Sequence, residues 1–151
     1  MIAAVVVALL TVAGAALVAR RRLVAVTVDG ESMAPTFRDR DRVLVARRAP
    51  GRLRRGDVVV VERPRPGSGW RDLRPPDGSL AGREWYVKRA VALPGDPVPE
   101  VARTAAAVDT VPPAALIVVG DNPRSNDSKQ WGLFPADRLL GVVVARLPRR
   151  D

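Results

Sequence analysis

The sequence predicts a mostly β domain of antiparallel strands, preceded by one N-terminal transmembrane helix. Three observations carry this. Short runs of branched residues alternate with Gly- and Pro-containing turns, no strong helical periodicity follows Ala19, and an uncharged apolar run at residues 2–19 stops abruptly at Arg20, Arg21 and Arg22.

Residues 2–19 are Ala, Val, Leu and Ile, interrupted only by Thr11 and Gly14. As a helix the run would rise about 27 Å, close to the hydrocarbon thickness of a bilayer. A cleaved signal peptide normally opens with basic residues and ends at a small-residue site. Here no basic residue precedes the run and three arginines follow it, so a retained anchor is expected. The positive-inside rule, applied to Arg20, Arg21 and Arg22, would place the following domain in the cytoplasm.

The domain is expected over residues 23–151. Residues 23–28 are rich in branched side chains, and residues 42–47 alternate basic with apolar. Residues 57–61 are a valine run entered through Arg55-Gly56, a plausible turn. Residues 64–82 carry Pro and Gly throughout and read as an exposed loop. A strand at 85–93 closes at Pro94-Gly95-Asp96, residues 97–115 read as a short variable insertion of Pro, Ala and Val, and residues 116–119 and 141–146 complete the strands. No internal repeat is present.

The 151 residues suit one compact domain with its own core. A formal charge of +9 favours an anionic partner, and scarce aromatics without basic interleaving favour a phospholipid surface over nucleic acid. Histidine and cysteine are both absent. A histidine base, a thiolate nucleophile and His- or Cys-ligated metals are thereby excluded, and no cofactor is expected. For a hydrolase there remain Ser or Thr with a lysine base, or carboxylate chemistry.

Of 25 basic residues 23 are arginines, and the two lysines are Lys88 and Lys129. Lys88 stands inside the apolar run Trp85-Tyr86-Val87-Lys88-Arg89-Ala90-Val91-Ala92-Leu93. A guanidinium stays charged at any working pH, whereas an ammonium can be tuned to lose its proton. A lone strand lysine is more often a snorkelling surface residue. Ser32 follows a strand in Val28-Asp29-Gly30-Glu31-Ser32-Met33-Ala34-Pro35-Thr36, where Gly30 permits a tight path and Pro35 stiffens the exit. By itself it reads as a turn serine satisfying its own backbone.

Four motifs in order change both readings: Gly-Glu-Ser-Met-Ala-Pro-Thr at 30–36, Gly-Asp-Val-Val at 56–59, Lys-Arg-Ala-Val-Ala-Leu-Pro-Gly-Asp at 88–96, and Gly-Asp-Asn…Ser-Asn-Asp-Ser-Lys at 120–129. Together they resemble the boxes of the type I signal peptidases, Ser-Lys membrane serine endopeptidases, in a compact form. The resemblance implies Ser32 as nucleophile and Lys88 as general base. It implies that Ser125 orients the lysine, and that Asp127 and Arg89 form a charged pair bracing the site. Gly120, Asp121 and Asn122 would shape the wall beside the lysine. Gly30 occupies a position where some members carry a serine assisting the oxyanion hole, so the hole would rest on the Ser32 N–H. Lys129 stands where the family usually has Arg, and the last box is one residue shorter than the common form between Asn122 and Ser125.

The implied substrates are signal-peptide-bearing preproteins, bound as an added strand and cleaved after Ala-X-Ala-like sites. The implied location is the cytoplasmic membrane, single-pass, with the domain on the extracytoplasmic face, against the positive-inside reading. Bulk secretion and one dedicated client both stay open, as does a membrane-tethered peptide-binding module without turnover. A self-cleaving repressor of the Ser-Lys type would require a DNA-binding N-terminus in place of the apolar run.

Overall fold

The computed structural model describes residues 5–7, 10–14, 17, 22–77 and 79–148. Residues 5–7, 10–14 and 17 are helical, and their Val and Leu side chains are exposed. Among the described residues no helix is long and apolar enough to cross a membrane. The rest of the 2–19 anchor expected from sequence lies outside the described residues.

One antiparallel sheet organises the chain. Its strands are β1 (Leu23–Thr27), β2 (Arg42–Arg47), β3 (Val58–Glu62), β4 (Trp85–Ala92), β5 (Ala115–Val119), β6 (Phe134–Pro135) and β7 (Leu139–Leu147), in the order β1-β2-β7-β3-β4-β5-β6. The valine run of β3 is buried on both faces because it lies at the centre, between β7 and β4. Val59 and Val61 enter one core with Leu53, Ala90, Leu116, Phe134 and Val142. Val60 enters the other with Val28, Met33, Val43, Val45 and Val87. This period-two division sorts β4 as well. Tyr86 and Ala90 pack on the first core and Trp85 and Val87 on the second, so alternation turns Lys88 toward the Tyr86 side.

Six strands follow the sequence reading to within a few residues; β6, two residues long, was not legible. One segment read as irregular is built otherwise. Within 97–115 a helix, α1 (Glu100–Ala106), places Ala102 and Ala106 in a third core with Ala92, Val98, Val111 and Ile117. With seven residues, α1 is too short to show helical periodicity in sequence, and packing holds it. The 64–82 segment is, as expected, an irregular and mostly exposed connection, but it is anchored at its base. Glu62, 2% exposed, pairs with Arg83 at 2.6 Å and Arg138 at 2.9 Å. Those arginines also donate to the Arg74 and Pro75 carbonyls, and Trp70 Nε1 donates to the Glu62 carbonyl.

Candidate active site

Ser32 lies in the turn joining β1 to β2. Gly30 takes φ +80°, and its N–H donates to Asp39 at 2.8 Å. Met33 is fully buried in the second core, which pins the residue after the serine while Ser32 itself stays half-buried. The Ala34–Pro35 peptide is cis. The Ser32 N–H donates to no acceptor among the described residues.

Lys88 comes from the opposite side of the sheet's centre, paired with Val59 of β3. Its side chain is 1% exposed, the largest of the fully buried ones. Nζ stands 4.7 Å from the centre of the Tyr86 ring, and among the described residues it makes no ion pair. Burial pushes its pKa down to about 8; the Asp127 charge opposes that fall and the Lys129 charge adds to it.

The 120–127 loop joins the two. The β4–β5 ladder ends at Arg89↔Val119, so Gly120 lies one step beyond it, across from Lys88. A Cβ on Gly120 would lie 2.4 Å from the Ser32 carbonyl oxygen and 2.3 Å from Ser125 Oγ, so only glycine lets the three approach. Asn122 then fastens the serine turn: its N–H donates to the Ser32 carbonyl at 3.1 Å and its amide to the Glu31 carbonyl at 3.0 Å.

Two separate ion pairs flank this junction, not the Arg89–Asp127 pair implied by the resemblance. Arg89, one residue past Lys88 and so on the other face of β4, grips Asp121 through Nε at 2.8 Å and a terminal nitrogen at 2.6 Å. Thr36 Oγ1 donates to the same carboxylate at 2.5 Å, which ties the serine turn to β4. These bonds, Arg89's first, hold the Asp121 carboxyl below its ordinary range. Asp127 is fully buried and caps α2 (Ser128–Trp131) in a capping box with Gln130. Its Oδ2 accepts from Ser125 Oγ, from the Gly120 N–H at 2.9 Å and from Lys129 Nζ at 2.6 Å. Burial pushes the Asp127 carboxyl up, but the bonds from Gly120, Lys129 and Ser125 outweigh it and keep the carboxyl low.

The sequence reading passed over Thr36 and Tyr86. Tyr86 was legible, since two residues before Lys88 in a strand means the same face. Thr36 was not, because its partner lies 85 residues away.

The family described as signal peptidase, peptidase S26, matches residues 2–103 and 99–147. Signal peptidase I of Leptolyngbya laminosa is 28% identical over 142 residues, which cover 79% of this chain and 66% of that protein. Signal peptidase I U of Bacillus subtilis (strain 168) is 34% identical over 73 residues, covering 47% of this chain and 30% of that protein. The chain thus spans less than two thirds of the length of either relative. With its matched segments running from the apolar N-terminus to the end of the sheet, the chain belongs to the signal peptidase family, peptidase S26.

Proposed function

We propose that this chain is a membrane-anchored serine endopeptidase that removes N-terminal signal or leader peptides from exported proteins, with Ser32 as nucleophile and Lys88 as general base. The observation that carries the reading is Lys88: a lysine buried in the sheet with no ion pair among the described residues, its pKa brought down to about 8, in a site whose glycine touches the Ser32 carbonyl. Both relatives carry the name signal peptidase I.

In this reading the neutral Lys88 amine takes the proton of Ser32 Oγ as the oxygen attacks the scissile carbonyl carbon. The oxyanion that forms is met by the Ser32 N–H. The Lys88 ammonium returns its proton to the leaving amine, and an acyl-Ser32 ester remains. Water, deprotonated by the same lysine, then hydrolyses that ester. Ser125 orients the amine, Asp127 fixes Ser125, and Arg89 with Asp121 holds the serine turn in place. Gly30 leaves the hole without a side-chain donor at that position.

The pairing of β5 with β4 starts at Arg89, so residues 85–88 have no strand beside them on that edge among the described residues. An extended substrate fits there as an added strand, which suits a signal peptide cleaved after Ala-X-Ala. Residues 2–19 would anchor the chain in the cytoplasmic membrane, with residues 23–151 on the extracytoplasmic face.

The test is cleavage of an Ala-X-Ala signal peptide by purified protein in lipid, with Ser32→Ala and Lys88→Ala alongside, across pH 6–10. Product at the expected bond, reduced at least about 10³-fold in each variant, is expected. Product that survives Lys88→Ala sinks the lysine-base mechanism. Binding of the peptide without product from the wild-type chain points instead to a tethered binding module.

A further inference from the structure

Asp127 presents an unusual arrangement. A wholly buried carboxylate accepts at 2.9 Å from the N–H of Gly120, the residue across the sheet from Lys88, yet its ion pair is made to the other lysine of the chain. Lys129 Nζ reaches Asp127 Oδ2 at 2.6 Å and Ser125 Oγ at 3.3 Å, and is itself largely covered, with 22% of its side chain exposed. We propose that Lys129 is a positioning residue for Lys88: by serving as the counter-ion of Asp127, it frees Lys88 from that duty.

The argument is one of charge balance in a buried space. An ionised carboxylate removed from water takes a cation as partner, or else binds a proton. Lys129 supplies that partner here, at 2.6 Å from Oδ2. While Lys129 holds Oδ2, Lys88 gains little from staying charged, and burial can drive its proton off. Without Lys129, Lys88 becomes the remaining cation for Asp127 and is held in the form that cannot accept the Ser32 proton. The other charges nearby are already committed or outside. Arg89 and Asp121 neutralise one another, Glu31 beside the serine turn is exposed, and Tyr86 offers Lys88 only its ring face.

The catalytic meaning of this device rests on the peptidase reading, but its test does not need turnover. Lys88 and Lys129 are the chain's two lysines, so protein labelled with ε-¹³C lysine shows two side-chain signals, and Lys129→Gln leaves Lys88 alone. In Lys129→Gln the Lys88 titration midpoint is expected to rise by about one pH unit or more, since loss of a neighbouring like charge and exposure to a free carboxylate act in the same direction. Lys129→Arg should keep the midpoint near that of the wild type. In the double variant Asp127→Asn/Lys129→Gln, where the carboxylate no longer needs a cation, the midpoint should return to the wild-type value or below. A Lys88 midpoint unmoved in Lys129→Gln overturns the proposal, as does one that stays raised in the double variant. Should Lys129→Gln fail to fold, Lys129→Met, which keeps an unbranched stem and removes the charge, decides by the same rise in the Lys88 midpoint or its absence. Peptide cleavage separates the two readings: a midpoint that moves in a protein that cleaves nothing upholds the counter-ion role and rejects the peptidase.

Discussion

At the scale of single residues, the chain keeps a lysine where a charge is costly. Below pH 8 Lys88 is protonated in the native and the unfolded chain alike, and the burial penalty stands in full. Between pH 8 and about 10.4 the unfolded chain binds the proton that the native chain has lost, so stability climbs with pH; above that range the penalty is gone. Lys88→Met keeps the length and removes the charge. It should raise stability at pH 7 by roughly 1–3 kcal/mol, with the gain shrinking above pH 8, read by urea unfolding at pH 7 and pH 10. Under the proposed mechanism the same titration would govern turnover with the opposite consequence. In the wild-type chain kcat/KM should rise about tenfold per pH unit below the midpoint near 8 and level off above it. A flat profile from pH 6 to 10 would reject Lys88 as the base. A stabilising substitution that abolishes cleavage is the signature of a site that trades stability for reactivity.

At the scale of elements, the 120–127 loop decides whether the pieces meet. Gly120→Ala should place its methyl group inside contact distance of both the Ser32 carbonyl and Ser125 Oγ, and neither can retreat far, because Asn122 holds the first and Asp127 the second. We expect a fold of near-native strand content, a loss of about 1–3 kcal/mol in stability and a fall in kcat greater than any change in KM. Gly51→Ala, with open space around it, is the control and should change neither. The elements also show where sequence reasoning works. The strands were legible because branched residues recur with period two and glycine turns bound them, as at Gly56 with φ +93° and Gly95 with φ +86°. The segments that carry Ser32, Lys88 and the 120–127 loop could be singled out because each is a compact motif. The partners were not. Arg89 and Asp121 lie 32 residues apart, and which aspartate faces which cation depends on the face of β4 that each side chain leaves from and on the helix that Asp127 caps. Helix α1 escaped for a different reason: an alanine-rich single stretch of two turns carries no periodicity that differs from an insertion.

At the scale of the whole molecule, the long connection from β3 to β4 is held by buried charges as well as by apolar packing, Trp70 lying against Phe134 in the first core and Leu80 against the second. Glu62 stands between Arg83 and Arg138 with all three side chains largely out of water, and the arginines also donate to the carbonyls of Arg74 and Pro75. The arrangement joins the end of β3, the start of β7 and the 64–82 segment at one point, so the connection behaves as part of the domain. Removing the central carboxylate leaves two buried guanidinium groups with only longer contacts to the more exposed Asp77 at 3.6 Å and Asp137 at 3.7 Å, whereas removing an exposed pair leaves no charge buried. Glu62→Ala should therefore cost about 3–5 kcal/mol and open the 64–82 segment to proteolysis before the sheet unfolds. Glu84→Ala, which breaks only the solvent-facing pair with Arg63, should stay within about 0.5 kcal/mol of the wild type. Equal losses in the two variants, or a 64–82 segment no more readily cut in Glu62→Ala than in the wild-type chain, would show that the buried triad does not hold the connection.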